Sequence, residues 1–339
     1  MAATDKLTIV AIGGSAGAIE AARALFKALP GDLNAAFFVV IHIPPHTPSQ
    51  LDKVLGVCTP MPVTAPEDGE GIRAGRVYVA SADRHLMLDQ GHVRLTRGPQ
   101  ECRARPSIDV LLRSAAIAYG PRLIGVILSG MLDDGTAGLW AVKDRQGVGL
   151  VQDPAEAMYP SMPHSALKHV AVDLVGTVQT LAGEIALRVG QEPANQAVPS
   201  AGHRQELENL IANEGNALQS GVMKVGAISQ YTCPDCHGVL VQIEEGSIVR
   251  FRCHTGHAFS IKTLLAEVNE SIDKGLWDSI RAVEERILLL RQMGDLAKQH
   301  KESDAAQRCE RQAADAEHHI KKLRDLVLDQ KPFGHEEKQ

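Results

Sequence analysis

Leu7-Thr8-Ile9-Val10-Ala11-Ile12-Gly13-Gly14-Ser15-Ala16-Gly17 is the stretch that decides the fold. Its first six residues are nearly all apolar and rich in β-branched side chains, the pattern of a parallel strand buried on both faces. The glycines end that run, and a helical pattern follows from Ala18 to about Leu29. Two further runs of the same kind, Ala36–Ile41 and Leu123–Leu128, lead into His42 and into Ser129-Gly130-Met131-Leu132-Asp133-Asp134-Gly135. The class these runs predict is α/β: a doubly wound, mostly parallel sheet with helices on both faces. In such sheets the working site lies beyond the carboxyl ends of the strands, so Ser15, His42 and Asp134 are expected to converge.

Gly13 to Gly17 fits G-x-S-x-G, a turn that lifts a serine hydroxyl out of the sheet and aims backbone N–H groups at a developing oxyanion. Glycines after a first strand also cradle phosphates, but the spacing is not G-x-G-x-x-G and no acidic residue closes a ribose-binding strand. An imidazole at His42 suits a general base. Any one of the chain's 14 histidines also reads as a local hydrogen-bonding residue, and a lone D-D-G reads as a turn. The coincidence of all three strand ends points to a serine hydrolase.

Several motifs in order resemble the catalytic domain of the CheB protein-glutamate methylesterase family. They are Gly13–Gly17, Ile41-His42-Ile43-Pro44, Arg105-Pro106-Ser107-Ile108-Asp109, Ser129–Gly135, Val151-Gln152-Asp153-Pro154, and Ser161-Met162-Pro163 through Ala166, spread over about residues 7 to 188. The resemblance implies Ser15 as nucleophile, His42 as general base and acid, Asp134 as the carboxylate behind the imidazole, and the Met131 backbone N–H near the oxyanion. Asp133 rivals Asp134, and only the family's G-M-x-x-D-G spacing selects the latter. Ala18 departs from the family, which usually has a second glycine there. The implied reaction hydrolyses glutamate methyl esters on a methylated chemoreceptor-type protein, with glutamine deamidation as a second acyl transfer. Arg103 and Arg105 read either as contacts to an acidic substrate or as solvated charges. For His85 and His164 a structural hydrogen bond is the expected role.

The 339 residues exceed one ordinary core, and 44% apolar content suffices for buried sheets and helices. A net charge of −6, from 35 basic and 41 acidic residues, lacks the basic excess of a nonspecific nucleic-acid binder. There is no secretory leader pattern and no run of the roughly 18 apolar residues that span a bilayer, so a cytoplasmic protein with no direct membrane insertion is expected. Only fourteen residues precede Ser15. CheB-type enzymes often carry an amino-terminal receiver domain, and control by an aspartyl phosphate within this chain is not expected.

The stretch Gln191–Gly202 reads as a linker. Beyond it, Cys233-Pro234-Asp235-Cys236, a sixteen-residue interval and Cys253-His254-Thr255-Gly256-His257 supply four donors suited to tetrahedral Zn²⁺: Cys233, Cys236, Cys253 and His257. His254 is a poorer ligand beside Cys253, and His237 is read as outside the ligand set. A closed four-ligand site is structural, so no cofactor is expected in catalysis. A metal-free ribbon, or a redox pair at Cys233 and Cys236, remains the other reading. Cys58, Cys102 and Cys309 read as ordinary thiols.

Val268, Ile272, Leu276, Ile280, Val283, Ile287 and Leu290 recur at helical spacing, and a second pattern runs through Ala306, Cys309, Ala313, Ala316, Ile320, Leu323 and Val327. They predict an antiparallel hairpin whose stripes pack together, or else a surface for a signalling partner or self-association. The division is therefore 1–190 esterase-like, 191–225 linker and short helical segment, 226–262 zinc-ribbon-like and 263–330 helical hairpin. Two other readings stand beside the methylesterase: an adaptor that keeps the fold for binding, and a serine hydrolase of another ester.

Overall fold

The computed structural model describes residues 7–43, 49–191, 202–214 and 217–328. The chain runs β1 (Thr8–Gly14), α1 (Ala18–Ala28), β2 (Ala35–Ile41), α2 (Leu51–Gly56), β3 (Val63–Thr64), β4 (Arg76–Val79), β5 (His85–Asp89), β6 (His92–Thr96), α3 (Ile108–Tyr119) and β7 (Leu123–Ile127). It continues through α4 (Thr136–Asp144), β8 (Val148–Gln152), α5 (Ser161–His169), β9 (Leu174–Gly176), α6 (Val178–Arg188) and α7 (His203–Glu214). The last elements are β10 (Ala227–Thr232), β11 (Val239–Glu245), β12 (Ile248–Cys253), β13 (Ala258–Ser260), α8 (Ile261–Gln299) and α9 (Ser303–Leu328).

Seven strands form one sheet in the order β3-β4-β2-β1-β7-β8-β9, with every pairing parallel. Every residue of β1, β2 and β7 is buried, as continuous apolar runs require when helices cover both faces. The alternation of the strand assigns the faces: Ile9 and Ala11 pack with Leu111, Leu112 and Leu139 of α3 and α4, while Val10 and Ile12 pack with Leu25, Phe26 and Leu181 of α1 and α6. After β1 the chain fills one side of the sheet through β2 and β4. It then returns to β7 on the other side, so the β1/β7 boundary is the switch point where a crevice opens.

The antiparallel hairpin β5–β6, absent from the periodicity reading, packs on α3 and completes that face. His85, at its start, is fully buried. Its Nε2 meets Pro99 O at 2.9 Å and its Nδ1 accepts the Ser107 N–H at 3.3 Å, so the ring is a neutral tile between two loops. Burial lowers its pKa from the ordinary 6.5.

The linker reading Gln191–Gly202 lies mostly on residues 192–201, outside the described residues. The chain forms two compact units, residues 1–263 and 264–339. The ribbon, a four-stranded antiparallel sheet β10-β11-β12-β13, belongs to the first of them. Leu207 and Ile211 of α7 share an apolar cluster with Val241 and Ile243 of β11, and Ala212 packs with Met87 and Val110. Gly98 admits this approach because it has no side chain: a Cβ there would stand 2.2 Å from Ala212 O.

A buried ionic network joins the same parts. Arg113 of α3 pairs with Glu101 at 2.9 Å, Arg252 reaches Glu101 at 2.8 Å and Glu208 at 3.0 Å, and Arg250 bonds Glu208 at 2.9 Å and Glu245 at 2.5 Å. Burial alone would raise the Glu101 pKa, but Arg113 and Arg252 hold it down at about 2; Arg250 and Arg252 likewise depress Glu208. Three cations and three anions compensate one another, which is why six charged residues tolerate burial. Single-residue hydropathy shows none of this, because the partners come from α3, a loop, α7 and the ribbon.

In the second unit, α8 and α9 pair as the stripes predict, through Ile280, Ile287, Leu290, Ala313, Ala316 and Ile320. Lys298–Glu310 at 2.5 Å, Arg291–Glu317 and Arg324–Glu284 bridge the two helices. Among the described residues no helix is long and apolar enough to cross a membrane.

Two stability predictions follow from these buried groups. Glu208→Gln leaves Arg250 and Arg252 short of a buried anion and is expected to cost about 3–5 kcal/mol in urea denaturation; a loss below about 1 kcal/mol contradicts the network's role. For His85, the unfolded ring takes up a proton near 6.5 while the folded ring resists. Its contribution is therefore present above that pH and is lost as pH falls from there through the lowered folded value. Denaturation midpoints measured from about pH 8 to about pH 5 should fall less steeply in His85→Gln than in the wild type, and identical slopes would remove His85 from the acid sensitivity.

Candidate active site

Ser15 sits half-buried in the turn between β1 and α1. Its N–H donates to Ser129 O at 2.9 Å, and Ser129 Oγ donates to Ala16 O at 2.8 Å while accepting the Tyr159 N–H at 2.9 Å. Gly17 has φ +73°, and a Cβ there would fall 2.8 Å from Ser129 Oγ. Ala18 begins α1, and it fits because Gly14 yields the space: a Cβ on Gly14 would lie 2.4 Å from the Ala18 methyl.

His42 follows β2, and its N–H donates to Gly14 O at 3.1 Å, which ties the two strand ends together. Asp134 lies after β7 and is 2% exposed. Its Oδ2 accepts from His42 Nε2 at 2.8 Å and from the Ile108 N–H at 2.7 Å; its Oδ1 accepts from Ser107 Oγ at 3.0 Å, the Asp109 N–H at 3.0 Å and the Gly135 N–H at 2.9 Å. Ser107 precedes the first turn of α3, yet its hydroxyl turns to Asp134 instead of capping its own helix. Asp134 thus accepts the first amides of α3, and the positive end of that helix faces the carboxylate.

Of the two aspartates, Asp134 is the one that meets His42, whereas Asp133 Oδ1 accepts the Ser260 hydroxyl at 2.7 Å. Because Nε2 of His42 is turned to a carboxylate, it carries the hydrogen, and Nδ1 is the ring nitrogen left with a free lone pair. A second buried carboxyl stands nearby. Burial first, then the Asp134 charge, push the Asp109 carboxyl well above the usual carboxylate range, while the Gly138 N–H donates to its Oδ1 at 2.6 Å. Burial also drives the Cys102 thiol upward and keeps it neutral.

Ser15, His42, Met131 and Asp134 line a cavity of about 390 Å³, closed on its other side by residues 100 and 102–106. Met131 is 54% exposed, on a loop pinned where the Gly130 N–H donates to Tyr159 O and the Met162 N–H to Gly130 O, each at 2.9 Å. Arg103 and Arg105 both line the cavity. The Arg105 guanidinium, however, is engaged with Asp83 at 2.6 and 2.9 Å and with Gly98 O at 2.8 Å, which makes it a brace for the loop rather than a spare cation. His164 is exposed on α5. Sequence reading missed Ser107, whose position just before an apolar helical pattern carried a start signal, and Ser129, which had no local signal.

In the ribbon of the same unit, the donor atoms of Cys233, Cys236, Cys253 and His257 all lie within 4.8 Å of one another. Cys236 Sγ is 3.6 Å from Cys253 Sγ, and Cys233 Sγ is 3.6 Å from His257 Nδ1. Zinc–sulfur bonds of about 2.3 Å at tetrahedral angles give sulfur separations near 3.8 Å, so the donor set and its spacing fit that ion. His254 stands outside the set, its ring against Gly238, and His237 occupies a left-handed turn position at φ +59°. Among the described residues Cys58, Cys102 and Cys309 form no disulfide.

Residues 10–185 match the CheB methylesterase family, a little over half of the chain. A relative from Leptospira interrogans is 34% identical over 188 residues, covering 55% of this chain and 97% of its own. Protein-glutamate methylesterase/protein-glutamine glutaminase 3 of Geobacter metallireducens is 35% identical over 187 residues, covering 54% of this chain and 52% of its own. The crystal structure of the Thermotoga maritima CheB methylesterase catalytic domain superposes with a TM-score of 0.52 at 31% identity, covering 54% of this chain and 98% of that one. The matched region runs from within β1 to within α6 and includes every residue that lines the pocket, and on these grounds the chain belongs to the CheB methylesterase family.

Proposed function

We propose that this chain is a protein-glutamate methylesterase acting in the cytoplasm on methylated chemoreceptor-type proteins, with Ser15, His42 and Asp134 as its catalytic triad. The observation that carries the reading is the 2.8 Å contact from His42 Nε2 to a buried carboxylate, in a cavity that Ser15 also lines. Ser15 Oγ attacks the carbonyl carbon of a glutamate methyl ester as Nδ1 of His42 takes its proton. The tetrahedral oxyanion is received by the Met131 backbone N–H. His42 then returns the proton to the departing methoxide, releasing methanol. Water, activated by the same imidazole, attacks the acyl-enzyme and frees the glutamate carboxylate and Ser15. A glutamine side chain follows the same route with ammonia as leaving group, in keeping with the double name of the Geobacter metallireducens relative. Arg103, on the cavity wall, is read as the contact for an acidic substrate segment.

The ribbon is read as holding one structural Zn²⁺ through Cys233, Cys236, Cys253 and His257, supported by their spacing. The helical pair α8–α9 is read as the element for a signalling partner or self-association, supported by apolar side chains that remain exposed on α8, among them Trp277, Leu288 and Leu289.

Methanol release from methylated receptor membranes tests the esterase. Ser15→Ala should abolish it, and Asp134→Asn should lower kcat by about 10⁴-fold while circular dichroism stays unchanged. Release that persists in Ser15→Ala refutes the assignment, and tight receptor binding without any release by the wild type favours an adaptor. Elemental analysis should find about one zinc per chain, lost in the Cys233→Ala, Cys236→Ala double variant; metal-free protein with an intact ribbon would overturn the zinc reading.

A further inference from the structure

The four metal donors do not line the catalytic cavity, yet two of them alternate along the chain with the residues that grip its wall. Cys253 directly follows Arg252, whose guanidinium is fully buried and bonds Glu101 at 2.8 Å. His257 directly precedes Ala258. The Ala258 N–H donates to Gln100 O at 3.1 Å, and its carbonyl accepts the Cys102 N–H at 2.8 Å, so β13 pairs with the very segment that closes the cavity. Two residues on, Ser260 Oγ donates to Asp133, the neighbour of Asp134. The ribbon therefore touches the pocket wall by backbone pairing at 100–102, by a buried ion pair at 101 and by a hydroxyl at 133.

Between Cys253 and His257 the chain makes a tight turn. The Cys253 N–H donates to His257 O at 3.0 Å and the Gly256 N–H to Cys253 O at 2.9 Å, with Gly256 at φ +101°. An ion bound by Cys253 and His257, and by Cys233 and Cys236 from the facing turn, cross-links both ends of this turn to the rest of the ribbon. A clip of that kind removes conformational freedom from the segment it closes. The segment it closes here carries Ala258.

We propose that the metal held by the ribbon fixes the 100–105 wall of the catalytic pocket through Arg252, Ala258 and Ser260, so that the reactivity of Ser15 depends on occupancy of a site that never touches substrate. Arg252, Ala258 and Ser260 are positioning residues in this scheme. It rests on the hydrolase reading of Ser15 and on the ribbon binding zinc, and it adds a coupling between them.

The test uses the full chain in zinc-loaded, chelated and zinc-reloaded forms, with Cys236→Ser, Ser260→Ala and Ser260→Thr. Three readouts are needed: amide hydrogen exchange at residues 100–105 and in β1, the rate at which a fluorophosphonate labels Ser15, and kcat and KM for methanol release. Chelation and Cys236→Ser should speed exchange of the Cys102 amide about tenfold and leave β1 protected. Both should slow Ser15 labelling about fivefold or more, as expected when a pocket wall loses its fixed geometry. Reloading should restore the chelated wild type. Ser260→Ala should slow labelling with its zinc retained, and Ser260→Thr, which keeps the hydroxyl, should recover it. Metal removal with unchanged Cys102 exchange and Ser15 labelling overturns the proposal. So does a wild type that binds no zinc, or a loss of β1 protection on chelation, which would make the metal a support of the whole fold. Metal-dependent labelling without methanol release from any methylated receptor would uphold the coupling and refute the substrate assignment.

Discussion

A single buried carboxylate organises the catalytic end of the sheet. Asp134 accepts five hydrogen bonds, three from backbone amides at the start of α3 and α4, one from Ser107 and one from His42. Burying an anion costs several kcal/mol, and charge-assisted hydrogen bonds of roughly 1.5–3 kcal/mol each offset that cost only when every oxygen is well supplied. The supply depends on α3 beginning at Ile108, which in turn requires its apolar face to lie against β1 and β7. Ile108 packs so closely on β1 that Gly13 must lack a side chain: a Cβ there would stand 2.1 Å from Ile108 Cγ2. The orientation of one imidazole is thus tied to helix placement, sheet packing and a glycine in the first strand.

The same end of the molecule is joined to the ribbon by a buried ion pair, by backbone pairing at Ala258 and by the Ser260 hydroxyl. Glu101 stands at the join, bonded to Arg113 from the esterase fold and to Arg252 from the ribbon. Such a network gains little net stability over a well-packed apolar contact, but it tolerates no missing partner and so fixes one arrangement. Gln100 and residues 102–105, which flank Glu101, line the cavity. Fold integrity and pocket shape therefore share the same few side chains.

The sequence made the sheet and the pocket legible for a physical reason. Strands buried on both faces must be continuously apolar, and the polar residue that ends each one must lie at the sheet's carboxyl edge. Ser15, His42 and Asp134 were expected to converge on that ground, with Asp134 picked out by the family's spacing, and all three line one cavity; the Cys/His spacing likewise pointed to four donors that cluster. The integration of the ribbon was not legible. Arg250, Arg252 and Glu208 read as surface charges until a partner from another element arrives, and no local pattern announces such a partner. Ser107 stands just before a helical pattern, and only the fold shows its hydroxyl turned toward Asp134. The choice of Asp134 over Asp133 came from the spacing the family resemblance implies, since either residue of Asp133-Asp134-Gly135 satisfies the local pattern. Arg105 shows the converse: beside a candidate pocket a cation suggests substrate, but Asp83, distant in sequence, already holds it.

The most direct test of the Asp134–His42 linkage is nitrogen NMR of the full chain labelled at histidine ring nitrogens, with the His42 signal assigned by comparison with His42→Ala. In the neutral ring the account predicts a hydrogen on Nε2, bonded to Asp134, and a bare Nδ1, with this preference lost in Asp134→Asn. A hydrogen found on Nδ1, or a tautomer indifferent to Asp134→Asn, would contradict it.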